Sequence, residues 1–358
     1  MQRYKTAILG ATGTVGQTLC RLLENHPLFQ VEILAASSRT SGKTYGEALF
    51  ERALPPPPSY LSRFVLTDTE RDADFIAKNV DFVFSVFKAP TALSREIEES
   101  YARREVPVIS TNSANRTLCD VPVVIPEINP QHLDVIPMQR RRLDTKHGFI
   151  AAKCNCSVLT FLPLLTPLIP LGLKSAAITT LQAVSGAGST LSAMTEIHDN
   201  LIPFIDGEEE KCEREPLKIW GTLSPKGIVA AKKPTLSAQC FRVPVSDGHT
   251  ASVGVTFASP VEKQTILSAW ENFSDDAIRL PSSPKRFIRY FPQCDRPQPR
   301  LDRDADNGMS VCVGRLRRDE VFSYKFVSLS HNTVRGAAGG AILLAELLER
   351  KGYFKFCR

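Results

Sequence analysis

The sequence lacks the patterns that mark membrane, metal-binding and nucleic-acid-binding proteins. No uninterrupted apolar run in its 358 residues reaches the roughly 18 residues needed to span a bilayer, so we expect no membrane segment. Its six histidines and nine cysteines show no metal-ligand spacing such as Cys-x-x-Cys, so we expect no metal site. The net charge is only +6, and Arg140-Arg141-Arg142 is the one tight basic run, so we expect no nucleic-acid partner.

The cysteines also indicate a cellular compartment. Their number is odd, and Cys154 and Cys156 stand too close together for an easy disulfide within one strand or turn. Unpaired thiols are typical of a reducing compartment. The chain also enters a strand pattern at once, without the segments of a secretory leader. We therefore expect a cytoplasmic protein.

Strand and helix patterns divide the chain into two parts. Short strands alternating with helices are predicted over the first 153 residues, with strands at 6–9, 31–36, 82–86 and 106–110. This alternation predicts an α/β fold with a parallel sheet, a Rossmann-type domain. Longer strands of a mixed, α+β domain are predicted at 175–184, 237–245, 251–257 and 320–329. The division is 1–153, completed by a returning C-terminal helix in 331–358, and 154–330.

A glycine-rich loop joins the first strand to the first helix. Its spacing is Gly-x-x-Gly-x-x-Gly. Between a strand and a helix, glycines let the backbone approach a pyrophosphate, and the helix N-terminus supplies unpaired N–H groups. A plain tight turn is the alternative. The predicted cofactor-binding residues are Gly10, Thr12, Gly13, Thr14, Val15 and Gly16.

The end of the second strand indicates which dinucleotide is bound. A site for NAD would carry an acidic residue there for the ribose hydroxyls. The chain instead has Ser37, Ser38 and Arg39 after Ala36. Hydroxyl groups and a cation suit a 2′-phosphate, so the predicted cofactor is NADP. A solvated basic loop is the alternative.

Cys156 is the predicted nucleophile. It directly precedes a helical pattern, and a thiol at a helix N-terminus is expected to have a lowered pKa. The thiolate is the reactive form, and beside a nicotinamide it would hold an acyl group as a thioester. A buried inert cysteine is the alternative.

Three polar segments follow the cysteine. His249 comes seven residues after Arg242, and it could share a cavity with it and transfer protons, or be a structural histidine. The glycine turn at 185–188 could bind an anion through its amides or be only a turn. The charged run at 208–211, taken alone, is best explained as a solvated surface.

Together these motifs coincide with those of one family. The chain resembles aspartate-β-semialdehyde dehydrogenases of the archaeal and fungal branch, nearly from end to end. The resemblance implies a homodimer or homotetramer, an NADP-binding domain, and a second domain for catalysis and dimerisation. The matching motifs lie at 10–16, 185–188, 207–211, 239–249, 301–304, 308–309, 313–315 and 330–340.

The resemblance also implies a role for individual residues. Cys156 would be the nucleophile and His249 the acid and base. Gln182 would orient the acyl intermediate, and Asn155 would support the thioester oxygen. Further cofactor-binding residues would be Ser185, Gly186 and Asn332, the last placing the nicotinamide.

The implied substrate is held through its charges. Arg242 would bind the carboxylate and Glu208 the ammonium group, while Lys211 and Arg116 would hold phosphate. The implied reaction is the NADPH-dependent reduction of aspartyl phosphate to aspartate semialdehyde, through a thioester on Cys156. It would serve the biosynthesis of threonine, methionine and isoleucine and, in some organisms, lysine.

The sequence departs from the family beside several of these residues. The family usually has Asn-Pro-Asn-Cys at the nucleophile, where this chain has Lys153-Cys154-Asn155-Cys156. Phe241 replaces an asparagine next to Arg242, and Ser189-Thr190-Leu191 replaces Tyr-Pro-Gly. Both changes are expected to line the pocket where the far end of the substrate lies. A diverged paralogue acting on another acyl phosphate or thioester is therefore one alternative. Two others are an N-acetyl-glutamyl-phosphate reductase, which usually has Gly-Cys at the nucleophile, and a non-catalytic NADP-binding protein.

Overall fold

A seven-stranded parallel sheet is formed by the first part of the chain. The computed structural model describes residues 2–49, 57–273 and 279–355. The strands of this sheet are β1 Tyr4–Leu9, β2 Phe29–Ala36, β3 Thr67–Asp68, β4 Phe82–Ser85, β5 Val108–Ser110, β6 Val123–Val124 and β7 Ile150–Lys153. Their order is β3-β2-β1-β4-β5-β7-β6, and every pairing is parallel. The order reverses between β1 and β4, where Rossmann-type sheets bind their ligands, and the predicted fold class is confirmed.

The helices cover both faces of this sheet and one face of a second. They are α1 Thr14–Leu22, α2 Tyr45–Leu49, α3 Ala73–Asn79, α4 Thr91–Arg103, α5 Ile136–Leu143, α6 Cys156–Leu165, α7 Glu208–Ile219, α8 Lys263–Glu271, α9 Pro299–Asp302, α10 Ala305–Gly308 and α11 Gly339–Arg350. Among the described residues, every helix is too short or too polar to serve as a membrane span.

The second sheet is mixed, as predicted. The later strands are β8 Leu173–Gln182, β9 Thr222–Ser224, β10 Gly227–Val229, β11 Thr235–Arg242, β12 His249–Phe257, β13 Ile288–Phe291, β14 Val311–Arg318 and β15 Tyr324–Ser330. A separate hairpin is formed by β9 and β10, and the other six strands follow the order β11-β8-β12-β15-β14-β13. Since β8 is parallel to β11 and antiparallel to β12, the ends of β8 and β11 and the start of β12 meet at one edge.

The C-terminal helix packs against the first sheet. A π-helical segment, Val334–Ala338, leads directly into α11 Gly339–Arg350. Buried side chains of α11 such as Ile342 share a hydrophobic cluster with Ile8 of β1 and Phe84 of β4. Fully burying side chains of this size contributes roughly 1.5–3 kcal/mol each. Helix α11 is thereby fixed against the first sheet.

Candidate active site

Cys156 is the first residue of α6, and Asn155 fixes that start. The Asn155 side-chain oxygen accepts hydrogen bonds from the backbone N–H groups of Ser157 (2.7 Å) and Val158 (3.3 Å). Such a cap satisfies N–H groups that have no partner inside the helix. The helix start predicted at Cys156 is confirmed, and its thiol is half-buried.

The expectation of a lowered pKa at Cys156 is wrong. Burial raises the pKa of the thiol, and the Glu208 carboxylate raises it further. Lys153, Arg116 and Arg242 favour the thiolate but do not outweigh burial. A helix terminus stabilises a charge by only about 0.3–1 kcal/mol, which desolvation readily exceeds. Cys156 is therefore mainly a thiol at neutral pH.

His249 faces the sulfur with one ring nitrogen and the backbone with the other. Its Nε2 lies 3.5 Å from Cys156 Sγ, and its Nδ1 accepts a hydrogen bond from Ala183 N–H at 3.1 Å. Because Nδ1 accepts, the proton of the neutral ring is on Nε2 and points toward the sulfur. Burial and the charge of Arg242 lower the pKa of His249 to about 3. The ring is therefore a neutral hydrogen-bond donor at pH 7.

Arg242 and Gln182 lie side by side at the edge where His249 begins β12. They are register partners at the ends of β11 and β8, and both are buried. Arg242 Nη1 donates to the Ala183 carbonyl at 2.7 Å. A Cβ on Gly186 would come within 3.0 Å of Arg242 Nη1 and of the His249 ring. The predicted glycine turn therefore covers both side chains closely.

Glu208 is a buried carboxylate, not part of a solvated surface. It begins α7 and accepts hydrogen bonds from Asn155 Nδ2 (3.0 Å) and Lys211 Nζ (2.8 Å). Ser157 Oγ (3.1 Å) and Gln182 Nε2 (3.3 Å) donate to its other oxygen. Burial opposes ionisation, but Lys211 and the donors hold the pKa of Glu208 below its usual value. Glu208 therefore puts a negative charge beside Cys156.

Arg116 reaches the same region from the first domain. It is buried, and its Nη1 donates to Glu215 Oε1 at 2.8 Å while Nη2 donates to the Thr111 carbonyl at 2.6 Å. Its Nε has no hydrogen-bond partner within the described ranges. Glu215 Oε2 also accepts from Asn155 N–H at 2.7 Å. Glu215 thus ties Arg116 to the residue that caps the nucleophile helix.

Sequence reasoning missed Glu215 and its neighbour Lys218. Lys218 Nζ donates to three carbonyl oxygens of the Arg116 loop, those of Arg116 (2.6 Å), Leu118 (2.6 Å) and Val121 (2.8 Å). The signal that could have found them is spacing, because 208, 211, 215 and 218 lie on one face of a helix. Helix α7 therefore holds both the start of α6 at Asn155 and the Arg116 loop.

The glycine loop after β1 has the geometry of a phosphate cradle. Gly10 has a φ of +94°, and a Cβ there would lie 2.6 Å from Phe87 Cα, in the loop after β4. A Cβ on Gly16 would lie 2.4 Å from the Gly10 carbonyl oxygen. Glycine is required at both positions. Helix α1 begins at Thr14 with Gly13 as its cap residue, so Thr12, Thr14 and Val15 lie around the helix N-terminus.

The remaining predicted cofactor residues lie on two sides of this loop. Ser37, Ser38 and Arg39 are exposed directly after β2, the neighbour of β1. Asn332 is buried, donating its amide N–H to Ser185 Oγ at 2.8 Å and accepting from Gly248 N–H at 2.8 Å.

The segment after Asn332 connects helix α1 of the glycine loop with Cys156. A Cβ on Gly336 would lie 2.9 Å from the Cβ of Cys156. The π-helical segment Val334–Ala338 also packs against α1. One short segment therefore lies between the cofactor loop and the thiol. Over the described ranges, no group of three His, Cys, Asp or Glu residues is placed to hold a metal ion.

The structure corrects the expectation that Phe241 lines the substrate pocket. Neighbouring side chains in a strand point to opposite faces. Arg242 faces the site beside Gln182, whereas Phe241 pairs with the exposed Leu181 on the outer face of the sheet. The other sequence change expected at the pocket, at 189–191, does lie near the site. It directly follows the glycine turn at 185–188, in which Gly186 lies against the His249 ring.

Comparison with known proteins places these features in a family. A profile described as "Semialdehyde dehydrogenase, NAD binding domain" matches residues 5–136, and one described as "Semialdehyde dehydrogenase, dimerisation domain" matches residues 165–335. The aspartate-semialdehyde dehydrogenase of Archaeoglobus fulgidus is 43% identical over 97% of this chain and 98% of its own. That of Aspergillus fumigatus is 39% identical over 98% of both chains.

Solved structures give the same result. The aspartate semialdehyde dehydrogenase with NADP from Candida albicans matches 98% of this chain and 100% of its own, with a TM-score of 0.85 and 35% identity. The aspartate semialdehyde dehydrogenase II complexed with ASA from Vibrio cholerae matches 98% and 100%, with a TM-score of 0.74 and 27% identity.

Proposed function

The chain belongs to the aspartate-semialdehyde dehydrogenase family, and we propose that Cys156 and His249 carry its chemistry. The activity is the NADPH-dependent reduction of 4-aspartyl phosphate to aspartate 4-semialdehyde and phosphate. The observation that carries the residue assignment is the 3.5 Å approach of His249 Nε2 to Cys156 Sγ. Both groups lie at the sheet edge that also holds Arg242.

The cofactor fits the loop after β1. The two glycine positions that a Cβ would fill, together with the start of α1, leave backbone room and N–H groups for a pyrophosphate. Arg39 and the two serines after β2 suit the 2′-phosphate, and Asn332, which is bonded to Ser185 Oγ, would help to place the nicotinamide. When bound, NADPH supplies the hydride.

The thiol and the imidazole act in sequence. The Cys156 thiol first loses its proton to solvent, the thiolate attacks the acyl carbon, the C–O bond to phosphate breaks, and a thioester remains. Once hydride is on the acyl carbon, the C–S bond of the thiohemiacetal breaks, the sulfur leaves as thiolate and the aldehyde is released. His249 Nε2–H points at the sulfur, so it donates a hydrogen bond that stabilises the negative sulfur both when it attacks and when it leaves. Asn155 and Gln182 orient the acyl oxygen between these groups.

Charged side chains recognise the substrate. Arg242 binds the carboxylate, and the Glu208 carboxylate binds the ammonium group. Lys211 and Arg116 bind phosphate, although each also contacts a carboxylate. Arg116 Nε has no partner among the described residues, and the Lys211 side chain is 33% exposed, so both retain capacity for an anion.

The charges also separate this substrate from that of an N-acetyl-glutamyl-phosphate reductase. Acetylation removes the ammonium charge, so a site for an N-acetylated substrate does not need a buried carboxylate. Glu208 is 8% exposed and is held as a carboxylate by Lys211. A substrate with a free ammonium group is therefore favoured.

A homodimer or homotetramer is the proposed assembly. The dimerisation profile spans residues 165–335, and the outer face of the second sheet is partly exposed there, including Leu181 at 37%. We also propose the division into 1–153 with 331–358 and 154–330, since the last strand of the first sheet ends at Lys153. Residues 1, 50–56, 274–278 and 356–358 of these parts lie outside the described ranges. The cytoplasmic location stays a prediction.

Turnover of aspartate semialdehyde with phosphate and NADP, followed at 340 nm, tests the function. We expect NADPH formation that requires phosphate. Cys156→Ser should lower turnover at least about a thousandfold while NADP binding persists, because serine is scarcely ionised at neutral pH. Cys154→Ser is the matched control, and we expect a mild effect.

Three results would contradict the assignment. Labelling of Cys154 instead of Cys156 by iodoacetamide would move the nucleophile. Preference for a semialdehyde other than aspartate semialdehyde would favour a diverged paralogue. Tight NADPH binding without any turnover would favour a non-catalytic protein.

A further inference from the structure

Lys153 is a buried lysine three residues before Cys156, and the chemistry above does not use it. It ends β7, is 4% exposed, and donates from Nζ to the carbonyl oxygen of Cys154. A lysine is almost never fully buried without a charged or polar reason. The resemblance implies asparagine at this position, so the residue roles that it implies do not explain the lysine.

Two glycines show that Lys153 runs alongside the nucleophile. A Cβ on Gly340 would lie 3.5 Å from Lys153 Cε, and a Cβ on Gly336 would lie 2.9 Å from the Cβ of Cys156. These glycines are four residues apart, so they lie about one helical turn apart on the same face. The Lys153 side chain and Cys156 therefore contact adjacent turns of one surface.

The thiolate needs a cation that His249 does not supply. His249 is neutral because its Nδ1 accepts from Ala183 N–H, so no imidazolium–thiolate pair forms. The Glu208 carboxylate opposes a second negative charge beside it. Of the groups that favour the thiolate, Lys153 acts most strongly.

We propose that Lys153 is a positioning residue whose buried ammonium group stabilises the thiolate of Cys156, the form that attacks the substrate. The proposal rests on the role of Cys156 in the proposed function. The thiolate and the ammonium group favour each other's charged form, because Cys156 in turn opposes the lowering of the Lys153 pKa by burial. The charged and titratable groups around them are Glu208 and Glu215 from α7, Arg242 from β11, His249 from β12, Arg116 from the loop after β5, and Cys154.

The test compares the pH dependence of Cys156 alkylation in the wild-type protein and in Lys153→Met. Iodoacetamide labelling is followed by mass spectrometry of the Cys156 peptide in the full chain with NADP present. We expect the midpoint of the rate to rise by about 1 to 2 pH units in Lys153→Met, which is a ten- to hundredfold lower rate near neutral pH. Lys153→Arg should keep most of the wild-type midpoint, and the exposed Lys226→Met should not change it.

Turnover gives a second readout that a purely structural lysine would not move. The kcat of Lys153→Met should recover toward the wild-type value at alkaline pH, where the thiolate forms without help. Equal alkylation midpoints in the wild-type protein and Lys153→Met overturn the proposal, as does a kcat lowered equally at every pH. Lys153→Gln repeats both measurements should the methionine variant not fold. Cys156→Ser separates the two hypotheses, because full activity in that variant refutes the proposed nucleophile instead.

Discussion

Replacing His249 by glutamine tests whether the ring beside the nucleophile stays uncharged. Glutamine retains an N–H donor but cannot take up a proton near neutral pH. In the structure the ring is fully buried, and its Nδ1 accepts a hydrogen bond from Ala183 N–H. Protonating Nδ1 would place two donors face to face in a buried site, beside the positive charge of Arg242. The folded protein therefore resists a charge that the unfolded chain accepts freely.

The size of the effect follows from the two pKa values of His249. An unfolded histidine has a pKa of about 6.5, and the folded value here is about 3. A lowered folded pKa means that the stability is fully present above the unfolded pKa and is lost as the pH falls toward 3. Between about pH 7.5 and about pH 5, His249 should lower the free energy of unfolding by about 2 kcal/mol. A folded pKa one unit higher hardly changes this figure, since pH 5 still lies above it.

Urea unfolding of the wild-type protein and His249→Gln at both pH values measures the difference. Protein concentration is kept equal, because an oligomer's stability depends on it. All other titrating groups are common to both proteins, so their contributions cancel. We expect the wild-type protein to lose about 2 kcal/mol more than the variant on acidification. An equal loss in both would show that the ring titrates normally in the folded protein, and the proposed donor role would fall with it.

Three further substitutions test individual contacts. Arg39→Ala should raise KM for NADP roughly ten- to hundredfold, equivalent to a loss of about 1.5–3 kcal/mol of binding free energy, while KM for NAD hardly changes; equal changes would refute the 2′-phosphate contact. Glu208→Gln should lower kcat/KM for aspartate semialdehyde and spare succinate semialdehyde, and a wild-type preference for the latter would remove the ammonium role. Glu215→Gln should raise KM for phosphate about tenfold, since Arg116 loses a charged partner; an unchanged KM for phosphate would limit Glu215 to holding Asn155.

Local features of the site could be predicted from the sequence because short-range chemistry determines them. The glycine loop and the helix start at Cys156 depend on a few neighbouring residues, and both lie where the pattern placed them. The same reasoning gave the wrong direction for the pKa of Cys156, because burial is a property of the whole fold. Glu215 was missed for a similar reason. Its partners Arg116 and Asn155 are 99 and 60 residues away in sequence.

The second sheet also contains strands that the sequence predicted and one that it did not. Strands β8, β11 and β12 have regular apolar patterns and were predicted to within a few residues. Strand β14 was not predicted, because its sequence ends in Arg315, Arg317 and Arg318, and charged residues hide a strand that is apolar only at its start. The final helix was predicted as one element, but its first turn is π-helical. That widened turn is the one that contacts Cys156 through Gly336.

The sequence changes relative to the family pattern differ in how closely they affect the site, because they lie on different faces of the strands. Phe241 lies opposite Leu181 on the outer face of the sheet, so it leaves the surroundings of Arg242 unchanged. The groups that would recognise carboxylate and ammonium, Arg242 and Glu208, are both buried and held by neighbours from other elements. Lys153, in contrast, changes the charge beside the nucleophile itself. Of these two changes, the one at Lys153 therefore concerns how the thiolate would be stabilised, whereas the one at Phe241 does not concern which substrate is bound.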